Sequence, residues 1–322
     1  MLSVVTGGTG FVGVPLVRAL VARGDRVRVI GRRASMRWRN EPKVEHIRAD
    51  IFEGDTALTT INGADRVFHL AATTEGCWDE YQRVTVGGAD RVLQAMATCK
   101  TKRLIFVSSL SVYEQSRFRD GMVVDEYSPL QNNSSRRSKY ARAKCLAEEL
   151  AQEYGRAGKV PVTIVRPGVV FGPGMKSPLT GVAISVKNVF WLMTGHPAQL
   201  LPAIYIDDLV TALLLAATCP EAIGKTFNLV NPEMPTHREV LELYRRMSGD
   251  KRIAVRLPSK AALPMLRLFD WSTQTIFGQN WQTSAIGTKL ASKVVYSSSL
   301  VEREIGFVAK TPFSVGMANV VA

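Results

Sequence analysis

The chain has 322 residues, 46% of them hydrophobic, which is enough to bury a sizeable core spread over two lobes. Its net charge of +13 is scattered, with no aromatic–basic ladder and no helix-turn-helix pattern, so solubility and anionic small molecules account for it better than nucleic acid. The best membrane candidate, Leu200 to Ala217, is interrupted by Asp207 and Asp208, and strand-like sequence begins at Met1 with no basic leader, so neither a transmembrane segment nor a signal peptide is expected. Cys77, Cys99, Cys145 and Cys219 show no paired spacing, and His46, His69, His196 and His237 do not stand at metal-ligand spacing. No disulfide and no metal are expected, and a reducing cytoplasmic location fits.

In chain order, the first signal is a short apolar strand, Leu2–Val5, running straight into Thr6-Gly7-Gly8-Thr9-Gly10-Phe11-Val12-Gly13 and then into an amphipathic stretch. Glycines at 7, 10 and 13 turn the chain tightly, let a pyrophosphate approach the backbone, and bring helix against strand. The helix start then offers free N–H groups and a positive dipole end, so a dinucleotide site is expected here. Further strands are expected at Arg26–Ile30, Glu45–Arg48, Arg66–Leu70, Arg103–Ser108 and Pro161–Arg166, with helices at Phe11–Arg23, Trp78–Cys99 and Ser138–Gly158. Continuous Val/Ile/Leu runs alternating with helices indicate a parallel sheet covered on both faces.

After Gly174 the regularity fades. A Gly/Pro-punctuated stretch, Met175 to Pro202, precedes an apolar helix, Asp207–Thr218, whose two leading carboxylates are expected to cap free N–H groups. One more strand, Lys225–Val230, follows. Residues 1–173 and 203–231 are thus assigned to a doubly wound dinucleotide domain, and 174–202 and 232–322 to a smaller substrate lobe facing the carboxyl ends of the strands. The apolar segment Pro258 to Gly278 reads as lid or core of that lobe rather than as a membrane-surface helix.

Tyr140 and Lys144 are spaced to share one helix face, one turn apart. A tyrosine hydroxyl, with an ordinary pKa near ~10, is a poor base at neutral pH, and a neighbouring ammonium brings it toward working range. Ser108 and Ser109 end a strand, where a doubly wound fold presents catalytic groups.

With these residues stand Asp50-Ile51, His69-Leu-Ala71-Ala72, Ser108-Ser-Leu-Ser-Val112-Tyr113, Arg166-Pro-Gly-Val-Val-Phe-Gly172-Pro173, Tyr205-Ile-Asp207-Asp208 and Gly306-Phe307. As an ordered set they resemble the extended short-chain dehydrogenase/reductase family, its NAD-dependent epimerase/dehydratase group, over nearly the whole chain. The resemblance implies a Rossmann fold with a C-terminal substrate-binding lobe. It implies Tyr140 as acid/base, Lys144 on the nicotinamide ribose and Ser109 on the reacting oxygen. It places Gly7, Gly10, Phe11, Val12, Gly13, Asp50, Ile51, Ala71, Ala72, Pro167 and Val169 along the cofactor, with Asp50 and Ile51 at the adenine and Ala71 and Ala72 at the dinucleotide's middle. A homodimer packed through Trp78–Cys99 and Ser138–Gly158 follows from the same likeness, with Leu93, Met96, Leu146 and Leu150 spaced for burial either there or in the chain's own core.

Departures narrow the reading. Leu110 and Ser111 replace the Asp-Glu pair of 4,6-dehydratases, so dehydration is not expected. Val169, Thr85 and Glu114 replace residues usual in UDP-hexose 4-epimerases. The expected activity is epimerisation or keto-reduction at a secondary alcohol or ketone, first of a nucleotide-activated sugar, since Gly181 to Asp208 is loosely similar to members linked with bacterial polysaccharide synthesis. The alternative is a dehydrogenase or reductase like the 3β-hydroxysteroid and dihydroflavonol branches, which share the form of Arg166 to Gly174. A non-catalytic dinucleotide sensor is disfavoured by the intact Ser109, Tyr140 and Lys144. NADP is expected over NAD, because Gly31 stands where an NAD site places an acid and is followed by Arg32 and Arg33, which suit a 2′-phosphate.

Overall fold

A computed structural model of the chain describes residues 1–32, 36–131, 138–186, 188–193, 196–255 and 293–321. Its centre is a seven-stranded sheet of β1 (Leu2–Thr6), β2 (Arg26–Gly31), β3 (Val44–Arg48), β4 (Arg66–His69), β5 (Leu104–Val107), β7 (Val162–Pro167) and β12 (Thr226–Leu229). The spatial order is β12-β7-β5-β4-β1-β2-β3 and every pairing is parallel. The chain order reverses between β1 and β4, and that switch point opens a crevice at the strands' carboxyl ends.

Successive residues of each strand serve opposite faces. Val5, Val29, Phe68, Ile105 and Phe227 pack against Leu16, Val17 and Leu20 of α1 (Gly13–Ala22) and Leu209 and Leu213 of α6 (Ile206–Thr218). Val4, Val67, Leu104, Phe106 and Ile164 pack against Val92, Leu93 and Met96 of α4 (Gly88–Cys99) and Ala147 and Ala151 of α5 (Lys139–Arg156). Burial on both sides explains why these strands read as unbroken apolar runs.

A second cluster gathers Phe171 of β8 (Val169–Phe171), Trp191 of β10 (Phe190–Met193), Val240 and Leu241 of α7 (His237–Ser248), and Phe313 and Met317 of α9 (Phe313–Val321). β10 pairs antiparallel with β9 (Ala183–Val186) and parallel with β13 (Ile253–Val255). A short pairing of β6 (Val123–Val124) with β14 (Val295–Tyr296) brings Val294 and Tyr296 to the crevice. Thr236 and Glu239 form a reciprocal capping box at the start of α7.

Several expectations are corrected. The helix expected over Trp78–Cys99 is continuous but not uniform: α3 (Trp78–Tyr81) passes into a π-turn, Gln82–Gly87, before α4. Thr85 lies in that turn, and its Oγ1 accepts a hydrogen bond from Thr73 N–H at 3.2 Å, which ties the widened turn to the loop after β4. Asp207 and Asp208 do not cap α6 with their side chains. Asp208 instead accepts from Thr311 N–H at 2.9 Å, while Asn231 donates to Thr311 O at 2.6 Å, so the pair anchors the C-terminal segment. The irregular stretch 175–202 holds the β9–β10 hairpin. Leu93 and Met96 are 1% and 0% exposed in the chain's own core, so they do not face a second copy. Leu146 and Leu150 are half-buried. The segment 258–278 and Arg33 lie outside the described residues.

Candidate active site

The glycine-rich turn is built around close backbone approach. Gly7 has φ +73°, and a Cβ on Gly13 would lie 2.1 Å from Gly7 O and 2.6 Å from Gly8 Cα. No side chain could be added at Gly13 without moving that backbone. Gly10 N–H donates to Gly7 O at 2.9 Å and closes the turn, and no side chain caps the start of α1. The helix start is therefore left for an anion.

A cleft of about 1630 Å³ runs from this turn across the strand ends. Gly7, Gly10, Phe11, Val12, Gly13, Arg32, Asp50, Ile51, Ala71, Ala72, Ser109, Tyr140, Lys144, Pro167 and Val169 all line it, so among the described residues every expected site residue meets in one cavity. Asp50 is held by Arg83, whose Nη2 donates to Oδ2 at 2.7 Å. At the base of the cleft Thr6 Oγ1 and His69 Nδ1 are hydrogen-bonded at 2.9 Å, and Thr6 Oγ1 also accepts from Ala71 N–H at 3.3 Å. Burial and the nearby Lys144 push the His69 pKa down to about 3, so His69 is neutral in the folded chain at ordinary pH.

α5 places Tyr140 and Lys144. Ser138 caps it, its hydroxyl accepting from Ala141 N–H at 3.2 Å, so Tyr140 sits in the first turn beside the end of β5. Tyr140 and Ser109 share a hydrogen bond. Burial raises the Tyr140 pKa above its ordinary value, and the Ser109 hydroxyl opposes that shift. Ser109 Oγ also accepts from Ser111 N–H at 3.1 Å, which fixes it after the strand.

Lys144 is 4% exposed and donates from Nζ to Val107 O at 2.8 Å. Burial lowers its pKa to about 8, against the pull of Glu148 one turn on. The pull that lowers the Tyr140 pKa thus comes from Ser109, while Lys144 is turned toward the strand end. Glu148 is itself paired with Arg166, 2.5 Å from Oε1 to Nη2, and Arg166 Nη1 donates to Tyr113 Oη at 2.7 Å. Tyr113 in turn donates to Asn228 Oδ1 at 2.7 Å. This buried chain of charges and hydroxyls locks α5 to the sheet behind Ser109 and Tyr140.

The sequence reading gave no site role to Ser111, Gln131, Thr180, Gln199, His237 or Tyr296, which also line the cleft. Most come from loops and short pairings that carry no periodic signal, while His237 opens α7.

The NAD-dependent epimerase/dehydratase family model matches residues 3–229, which contain the glycine turn, Ser109, Tyr140 and Lys144. The chain belongs to this family. It is 26% identical to the 2-alkyl-3-oxoalkanoate reductase of Stenotrophomonas maltophilia, over 100% of this chain and 99% of that protein. It is 27% identical to cinnamoyl-CoA reductase 2 of Arabidopsis thaliana, over 84% of this chain and 85% of that one. The structure of UDP-glucuronic acid 4-epimerase from Bacillus cereus, in complex with NAD, superposes with a TM-score of 0.78 at 19% identity, covering 100% of this chain and 97% of that one. The chain is thus an NAD(P)-dependent enzyme of the extended short-chain dehydrogenase/reductase type with a Rossmann fold.

Proposed function

We propose that this enzyme transfers hydride between NADP and a secondary alcohol or ketone, with Tyr140 as acid/base and Ser109 and Lys144 as its partners. The observation that carries the reading is the convergence of Ser109, Tyr140 and Lys144 on one cleft with the glycine turn. The residues fit a dinucleotide: the cradle at Gly7 and Gly13 leaves room for phosphates, and the uncapped start of α1 supplies N–H donors. A bound nicotinamide supplies the hydride acceptor or donor. Ser109 orients the substrate oxygen, and Tyr140 gives that oxygen a proton in reduction or takes it in oxidation. Lys144, carrying a proton up to about pH 8, holds the ribose hydroxyls.

NADP is preferred to NAD in this reading because Gly31 puts no carboxylate at the adenosine ribose and Arg32 lines the cleft beside it. A Cβ at Gly31 would meet only His46 Nε2 at 3.7 Å and Thr9 Oγ1 at 4.0 Å among the described residues, so a Cβ is accommodated there without a clash. Gly31→Asp is expected to shift preference toward NAD, roughly tenfold or more in the ratio of the two affinities.

For substrate, a nucleotide-activated sugar is the first reading, and the dinucleotide and substrate lobes divide as 1–173 with 203–231 and 174–202 with 232–322. Val169, apolar on the cleft wall, favours a second reading in which the enzyme reduces a ketone on a carbon skeleton, as the names of the curated relatives suggest. We propose further a cytoplasmic homodimer, with α5 contributing Leu146 and Leu150 to the two-fold face. The test is to follow NADPH oxidation with a panel of ketones that includes a UDP-4-keto-hexose. Oxidation with at least one member is expected. No oxidation with any of them, and no interconversion of UDP-hexoses, would overturn the proposal.

A further inference from the structure

Beyond Ser109 the cleft wall carries a polar arrangement that the reaction itself does not use. Gln131 N–H donates to Val112 O at 2.8 Å, and its side-chain Nε2 donates to Ser111 O at 2.7 Å and Tyr113 O at 2.9 Å. Two backbone carbonyls therefore hold the amide nitrogen and fix which way the side chain faces. Among the described residues, Oε1 is left as an acceptor, buried and without a hydrogen-bond partner, and Ser111 Oγ is likewise buried and unpartnered. Both residues line the cleft. Such groups carry a desolvation cost that a ligand's polar group can relieve. Ser111 N–H donates to Ser109 Oγ, so Ser111, two residues on, is bonded to the hydroxyl that meets the reacting oxygen.

We propose that Ser111 and Gln131 form a subsite for a hydrogen-bond donor, a hydroxyl, on the carbon next to the reacting one. An acceptor-only oxygen requires a donor, and a plain alkyl or steroid ketone brings none there. The substrate class is then a hydroxyketone or vicinal diol rather than an isolated ketone. Loss of a hydroxyl that a site is built to bond leaves buried polar groups unpaired, which makes the discrimination strong. This subsite rests on the placement of the reacting oxygen at Ser109 and Tyr140 given above.

The test compares 2-hydroxycyclohexanone with cyclohexanone, with binding to the protein loaded with NADP followed by NMR titration and turnover followed with NADPH. The wild type is expected to bind the hydroxyketone roughly five- to tenfold more tightly. Gln131→Met should abolish that preference, and Ser111→Ala, which keeps every backbone bond to Gln131, should reduce it. Equal affinity for the two ketones in the wild type, or a preference that survives both substitutions, overturns the subsite. A binding preference without hydride transfer to either ketone supports the subsite and contradicts the proposed catalysis instead.

Discussion

At the scale of the residue, burial dominates the chemistry of this cleft. Lys144 has a folded pKa of about 8 against an ordinary 10.5. Between those values the unfolded chain holds a proton that the folded chain has released. Stability therefore rises with pH across that window, and the cost of burying the ammonium is fully present below about 8. Buried tyrosines act in the opposite sense: Tyr113, pushed up to about 12 by burial, keeps its proton longer when folded. Denaturation of the cofactor-free protein at a pH below 8 and again near 10.5 should separate them. Lys144→Met is expected to remove the rising component, and an unchanged pH profile would count against the lysine's burial.

At the scale of the element, backbone proximity decides what the sequence must be. Gly13→Ala places a Cβ 2.1 Å from Gly7 O, a contact relieved only by moving α1 away from β1. Overpacking of this kind costs about 1–3 kcal/mol. The variant is expected to melt earlier and to lose most of its dinucleotide affinity, which thermal unfolding and cofactor titration measure together. These elements were legible in the sequence because their burial is two-sided and their glycines answer to sterics. Val4 and Val5 show this, packing on opposite faces of one strand. The π-turn at Gln82–Gly87 was not legible, since its residues keep helical spacing and only the backbone bonds differ. Nor was the β9–β10 hairpin, whose strands carry exposed Ile184 and half-buried Leu192 and so lack the continuous apolar signature.

At the scale of the whole molecule, the cleft depends on the C-terminal segment being tied back to the sheet. Asp208 and Asn231 grip Thr311 from both sides, and Phe313 of α9 packs on Phe171 with ring centroids 4.7 Å apart. Asp208→Ala leaves the half-buried Thr311 N–H unpaired and is expected to cost about 1 kcal/mol, read as a lower denaturation midpoint. The meeting of Ser109, Tyr140 and Lys144 in one cleft was legible because their spacing belongs to one helix and one strand end. Gln131 was not, because its value lies in two carbonyls that reach it only after the chain folds back. Asp208 was misread as a cap because the sequence alone does not reveal Thr311, more than a hundred residues away, as its partner. The central claim is that Tyr140 moves the proton while the rest of the cleft holds the cofactor. Its most direct test is the kcat and cofactor affinity of Tyr140→Phe, measured side by side with the wild type on whichever ketone is reduced. Turnover should fall roughly 10²–10⁴-fold while cofactor affinity is unchanged, and turnover within about threefold of the wild type would contradict the account.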